Sequence, residues 1–169
     1  MTLENHAKLI LEEYPIYKKL PSSISNKYHI GETQMEHLQT VVNIMSYLCE
    51  EFKIKNDDRD MLFAASWLHD LGLYIITRKG IVDLPGWKYY EQTGYSRLES
   101  AMKSHGTIGA ELLNYYDIKR KKEIQRLISV HMSHWYPLQP QPETTYEKLI
   151  CIADYLASKG NKIFKERVK

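Results

Sequence analysis

The sequence predicts an all-α fold, and three observations lead to it. Apolar residues recur at steps of three and four through most of the chain, and no stretch alternates with the period of two that marks a half-buried strand. Gly80, Pro85, Gly86 and Gly94, and then Pro137, Pro140 and Pro142, fall between the periodic segments. A length of 169 residues suits one domain with a sizeable core, so 1–169 is read as a single unit without internal repeats.

The elements follow in order. Within 2–19, Leu3, Ala7, Ile10, Leu11 and Tyr14 keep helical spacing until Pro15 or Pro21 stops it. A second helix covers about 32–52, where Leu38, Val41, Met45, Leu48 and Phe52 recur. After a turn at Lys55–Asp57, Asp57 or Asp58 can cap a third helix running through Met61, Leu62, Ala65, Leu68 and Leu71, with Gly72 near its end. Residues 74–96 lose the period, and Gly80, Pro85, Gly86 and Gly94 mark them as a loop of about twenty residues, long enough to suggest a functional role. Its Tyr74, Trp87, Tyr89, Tyr90 and Tyr95 could form a lid that stacks on a nucleobase, or could pack the loop on the bundle. Helical spacing resumes over 97–116 with Leu98, Met102, Ile108, Leu112 and Leu113, then over about 120–133 with Ile124, Leu127 and Ile128. Pro137, Pro140 and Pro142 interrupt the chain before Thr144 or Thr145 caps a last helix carrying Leu149, Ile150, Ala153 and Leu156.

Composition narrows the function classes. A net charge of +2 is too small for a nucleic-acid or membrane footprint, and no basic stripe tracks a polymer backbone. The N-terminal stretch lacks the pattern of a signal peptide, and nothing approaches the run of roughly 18 apolar residues that a membrane span needs. Cys49 and Cys151 sit alone in apolar helical contexts and read as reduced core residues. A cytoplasmic protein without a membrane partner is expected, and the oligomeric state is left open.

Against that background one set of residues stands out. His37, His69 with Asp70, His105, His131 and Asp154 lie on the apolar faces of five successive helices. His37 shares a stripe with Val41, Ile44 and Leu48, and His69 with Leu62 and Ala65. His105 lies with Ile108 and Leu112, His131 with Ile124 and Ile128, and Asp154 with Ile150 and Ala157. Burying an unpaired carboxylate would cost several kcal/mol, roughly, so imidazoles and carboxylates aimed at one interior require a partner. Divalent metal is the usual one. Nitrogen and oxygen donors suit iron, manganese, zinc, cobalt or nickel, and the absence of thiolates argues against a closed structural zinc site.

The order His37, His69-Asp70, His105, His131, Asp154 resembles the HD-domain superfamily of metal-dependent phosphohydrolases. Its most specific pieces are ASWLHDLG (65–72), SHGTIGAELL (104–113) and KLICIADYL (148–156), and the resemblance covers about 30–160. It implies an HD-domain helical bundle of about five core helices plus an N-terminal helix. It implies also that His37, His69, Asp70 and Asp154 hold a first metal, and that Asp70 bridges to a second held by His105 and His131. Catalysis would then depend on His69 and Asp70. Two ions roughly 3.5–4 Å apart would lower the pKa of a bridging water, whose hydroxide attacks phosphorus while the metals clamp the phosphoryl oxygens. Two carboxylates against two divalent ions leave a site of about +2, a well for phosphate. The expected substrate is a nucleotide or another small phosphorylated metabolite.

One position departs from the family pattern. Many members continue the doublet as His-Asp-x-Gly-Lys, and the lysine's place is taken here by Leu73. Arg78, Lys79, Lys88 and Lys103 are the cations available to replace it, each also readable as a solvated charge. His134, three residues beyond His131, is read as a neighbour of the site that could touch substrate rather than as a metal ligand. Trp135 and Tyr136 could wall the pocket or pack in the core. The same ligand order also serves mixed-valent di-iron oxygenases, and a non-catalytic nucleotide-binding module is the other alternative.

Overall fold

The computed structural model describes residues 1–20, Ser22, 32–74 and 102–167, and within them no side chain of Ile16 or of 160–167. Six α-helices are found among these residues: α1 (Leu3–Glu12), α2 (Gln34–Glu51), α3 (Asn56–Leu68), α4 (His105–Leu112), α5 (Lys121–Val130) and α6 (Thr145–Arg167). Short 3-10 turns at Pro15–Lys18, Leu113–Tyr115 and His131–His134 follow α1, α4 and α5. The architecture is the all-α bundle expected from the sequence.

Local chemistry sets the helix starts. Thr2 caps α1 by accepting from the Asn5 amide at 3.2 Å, and the Asp60 carboxylate of α3 takes the amides of Leu3 and Glu4 at 2.7 and 3.0 Å. Four amides at a helix start lack intrahelical partners, so Asp60 also fixes where α1 docks on α3. Trp67 reinforces the contact by donating to Glu4 at 3.1 Å. At α2, Thr33 and Glu36 form a capping box, and the backbone amide of Gln34 donates to the Leu20 carbonyl at 2.7 Å. Thr144 caps α6 by accepting from the Glu147 amide at 3.3 Å.

Three expectations for the elements change. The first helix stops at Glu12 rather than running toward Lys19, because the chain continues as a 3-10 turn from Pro15. Neither Asp57 nor Asp58 caps α3, whose N-cap is Lys55 without a side-chain bond. Asp58 instead ties α3 to its neighbours, accepting from Arg120 and from the Tyr146 hydroxyl, each at 2.8 Å. Tyr74, read as the start of a loop, lies in a helical turn at 71–74 and is fully buried, its ring 5.8 Å from that of Tyr17. Trp87, Tyr89, Tyr90 and Tyr95 lie outside the described residues.

The core is continuous across the helices. α1 packs chiefly on α3, α2 on α3 and α6, and α4 on α5. Ile10, Leu11, Leu38, Met45, Leu62, Leu68, Ile108 and Ile124 are among the side chains fully buried in it. Cys49 and Cys151 are buried and free, as expected of reduced core residues.

Close approach of backbone is needed at two glycines. A Cβ on Gly72 would lie 2.1 Å from the His105 carbonyl oxygen and 2.9 Å from the Gly109 nitrogen. The turn after Asp70 thus rests directly on α4. A Cβ on Gly106 would likewise meet the Ile128 carbonyl at 2.8 Å, which brings α4 against α5. These two contacts draw Asp70, His105 and His131 together. Gly72→Ala is expected to destabilise the protein by about 3 kcal/mol, since the obstructing atoms are backbone, and to weaken metal uptake by parting Asp70 from His105. Denaturant melts and metal titration of that variant check both effects; a wild-type midpoint would contradict them.

Candidate metal centre

The six residues singled out in the sequence come from five parts of the bundle, and all six are buried. His37 projects from the first turns of α2, and His69 and Asp70 follow the last residue of α3. His105 opens α4, His131 opens the 3-10 turn after α5, and Asp154 lies in the middle of α6. The structure brings them into one cluster.

Asp70 stands at its middle. Its Oδ1 lies 2.9 Å from His105 Nε2 and 3.6 Å from His131 Nε2. Its Oδ2 lies 3.3 Å from His69 Nε2 and 3.7 Å from His37 Nε2. Asp154 Oδ1 completes the second side, 3.2 Å from His37 Nε2 and 3.7 Å from His69 Nε2. One carboxylate therefore presents a separate oxygen to each of two imidazole pairs. His37, His69 and Asp154 form one group whose ligand atoms converge closely enough to hold a metal ion, and His69, Asp70 and His131 form another.

The rings are aimed by the backbone. Nδ1 of His69, His105 and His131 contacts the carbonyl oxygens of Ser66, Met102 and Ile128 at 2.8, 2.6 and 2.6 Å, each three residues earlier. A carbonyl only accepts, so each Nδ1 carries the proton and, in the neutral ring, leaves the Nε2 lone pair facing inward. His105 and His131 then point two lone pairs at each other across 3.0 Å, with a carboxylate oxygen beside them. On the other side of Asp70, His37 Nε2 and His69 Nε2 lie 3.3 Å apart. Such a set is electrostatically unfavourable until a cation or proton enters it. The donors, their tautomers and their convergence fit a divalent metal.

The titration behaviour of the metal-free cluster agrees. Burial alone would push the His69 imidazolium down, but Asp70 and Asp154 outweigh it and hold its pKa up at about 9. Burial pushes His131 the other way, below the ordinary range. Burial would raise both carboxyls, yet the surrounding imidazoles dominate: His69 heads the charges that hold Asp70 well below the usual carboxylate range, and the His37 hydrogen bond heads those that hold Asp154 at about 2. The raised pKa of His69 makes it the imidazole on which a proton would compete with a metal.

Other candidates fall elsewhere. Lys103 is half-buried two residues before His105, with its ammonium 5.4 Å from the centre of the Tyr136 ring. His134 is exposed and does not join the cluster; its ring meets Tyr155 edge-on at 4.5 Å and Trp135 at 5.5 Å. Arg78, Lys79 and Lys88 lie outside the described residues. Burial raises the thiol pKa of Cys49 and Cys151, which leaves neither as an activated nucleophile. Sequence reasoning missed Gln34, whose Nε2 donates to Asp70 Oδ2 from a fully enclosed position. Its spacing of three from His37, on the same helix face, was the available signal.

Comparison with known proteins gives a concordant result. A family model described as the HD domain matches residues 35–159. No curated protein and no solved structure matches the chain. The chain belongs to the HD-domain family. That membership puts it in a superfamily of metal-dependent phosphohydrolases whose members bind divalent metals. Among the described residues no helix is long and apolar enough to cross a membrane.

The metal-free protein should show a pH signature with a definite sign. His69, raised from 6.5 to about 9, contributes stability that is complete below about 6.5 and lost as pH rises through about 9. Asp154, lowered from 3.8 to about 2, contributes stability present above about 3.8 and lost as pH falls through about 2. Chelator-treated protein is therefore expected to melt at lower temperature at pH 9 than at pH 6, while its affinity for Mn²⁺ rises over the same interval as the competing proton leaves. A melting midpoint and Mn²⁺ affinity that are both flat between these values would contradict the assignment.

Proposed function

We propose that this protein is a metal-dependent phosphohydrolase that uses two divalent transition-metal ions, sharing Asp70, to cleave a phosphate ester or anhydride of a nucleotide or similar small metabolite. The observation that carries this reading is the disposition of Asp70, with one oxygen on the His105–His131 side and the other on the His37–His69–Asp154 side. In this reading His37, His69, Asp70 and Asp154 hold one ion, and Asp70, His105 and His131 hold the other. When bound, the ions supply Lewis acidity that lowers the pKa of water and stabilises charge on the phosphoryl oxygens.

The chain's own residues do the rest. Carbonyls of Ser66, Met102 and Ile128 lock three imidazoles in one tautomer and one direction, so the ligand cage is set before anything binds. Enclosure of the cluster lowers the local dielectric and strengthens each charge contact within it. Two carboxylates against two divalent ions leave a net charge of about +2, which favours a phosphate anion. With Leu73 unable to donate, Lys103 is the described cation we assign to a substrate phosphate, and His134 with Trp135 and Tyr155 forms an adjoining aromatic wall.

Asp70→Ala tests the reading. Loss of the shared carboxylate is expected to abolish phosphate release from every active substrate and to lower bound metal toward zero per chain, while helicity measured by circular dichroism stays near the wild-type value. Full turnover in that variant, on a panel of nucleotides and phosphate esters under Mn²⁺, Co²⁺, Ni²⁺ and Mg²⁺, would overturn it.

A further inference from the structure

We infer that Gln34 is a positioning residue of the metal centre, holding Asp70 from one side with its amide N–H and offering its carbonyl oxygen to a water or substrate hydroxyl at the cluster. This rests on the metal-centre reading above and extends it to a residue that contributes no ligand.

Three observations support the assignment. Gln34 is the first residue of α2, a position where polar side chains ordinarily stay solvated, yet it is only 1 % exposed. Its backbone leaves it little choice of place: the amide is bonded to the Leu20 carbonyl, and the Thr33–Glu36 capping box closes the helix start around it. From there Nε2 donates to Asp70 Oδ2, the oxygen on the His37–His69–Asp154 side. If this residue merely filled space, an apolar side chain would do so without a polar group to satisfy.

The other end of the amide identifies what is missing. Gln34 Oε1 is buried, and no donor among the described residues reaches it. The two amide atoms share one carbon, so an acceptor in want of a hydrogen lies beside the oxygen that faces the first donor group. Tyr74 is also fully buried; burial and then the charge of Asp70 raise its pKa well above the ordinary phenol range, with Gln34 opposing. Gln34 and Asp70 thus form a buried polar pair at the edge of the cluster. A carboxylate gripped on this side keeps its plane fixed, and with it the direction of both oxygens.

Two near-isosteric substitutions separate a positioning role from a packing one. Gln34→Met removes the amide and keeps the length; Gln34→Glu keeps the shape and replaces the donor with a carboxylate beside Asp70. Mn²⁺ titration of the full chain, by calorimetry or by the electron-spin signal of free Mn²⁺, is read together with melting of the metal-free protein. Gln34→Met is expected to weaken Mn²⁺ binding by about 10- to 100-fold. Gln34→Glu is expected to melt lower than wild type without metal and to bind Mn²⁺ more tightly than wild type, so stability and affinity move in opposite directions. A packing role would move them together. Gln34→Ala, which adds no charge, must weaken Mn²⁺ as Gln34→Met does, and it stands in if the glutamate variant does not fold. Affinities within about twofold of wild type in the methionine and alanine variants would overturn the proposal, as would a glutamate variant that loses stability and affinity together. Wild-type protein that takes up no Mn²⁺ would instead overturn the metal-centre reading itself.

Discussion

The structure is organised around a buried carboxylate, that of Asp70, set between imidazoles on both of its edges. A lone carboxylate in this interior would be protonated or would unfold its surroundings. Here it stays ionised because His69 and its neighbours answer its charge, and because Gln34 donates to it as well. The arrangement nevertheless leaves nitrogen lone pairs of His105 and His131 facing each other at 3.0 Å, beside an oxygen of the same carboxylate. A cation resolves that conflict, and the bundle is built so that it cannot be resolved by rotating a ring. Each backbone carbonyl that holds an Nδ1 would lose its donor if the ring turned.

The rest of the fold reads as the means of keeping these groups at hydrogen-bonding distance. Asp60 seats α1 on α3, and α3 delivers His69 and Asp70 at its C-terminal end. Gly72 and Gly106 let backbone approach backbone, so that the turn after Asp70, α4 and α5 meet without side chains between them. α6 brings Asp154 from the opposite side, on a face it shares with Ile150, Ala153 and Ala157. Stability and function are coupled at this point: the glycines that permit the ligand geometry also let backbone pack directly on backbone. Fold membership supplies the superfamily, while the choice of substrate belongs to the groups around the site rather than to the fold.

Much of this was legible before the structure, for physical reasons that differ by residue. Helical periodicity carries information about which face is buried, so an imidazole at the spacing of Leu127 and Ile128 could be placed inside, and His131 is inside. Gln34 shares the face of His37 at a spacing of three, but a polar residue at the first helical position ordinarily reads as a solvated helix start, and the pairing of its amide with Leu20 is not local in sequence. Tyr74 was misplaced because glycine and proline downstream colour the composition of a window that starts in a helical turn. Asp58 was misread as a cap since capping and long-range pairing draw on the same residue type; its partners, Arg120 and Tyr146, are distant in sequence. The role of Gly72 as a point of backbone contact likewise depends on a helix more than thirty residues away, which no local pattern records.

The central claim is that Asp70 joins two cation sites, and diffraction from crystals grown with Mn²⁺ tests it most directly. Anomalous difference maps are expected to show two peaks per chain, roughly 3.5–4 Å apart as in other paired-metal sites, one against each oxygen of Asp70. A single peak at either donor group, or manganese bound away from Asp70 altogether, would contradict the account.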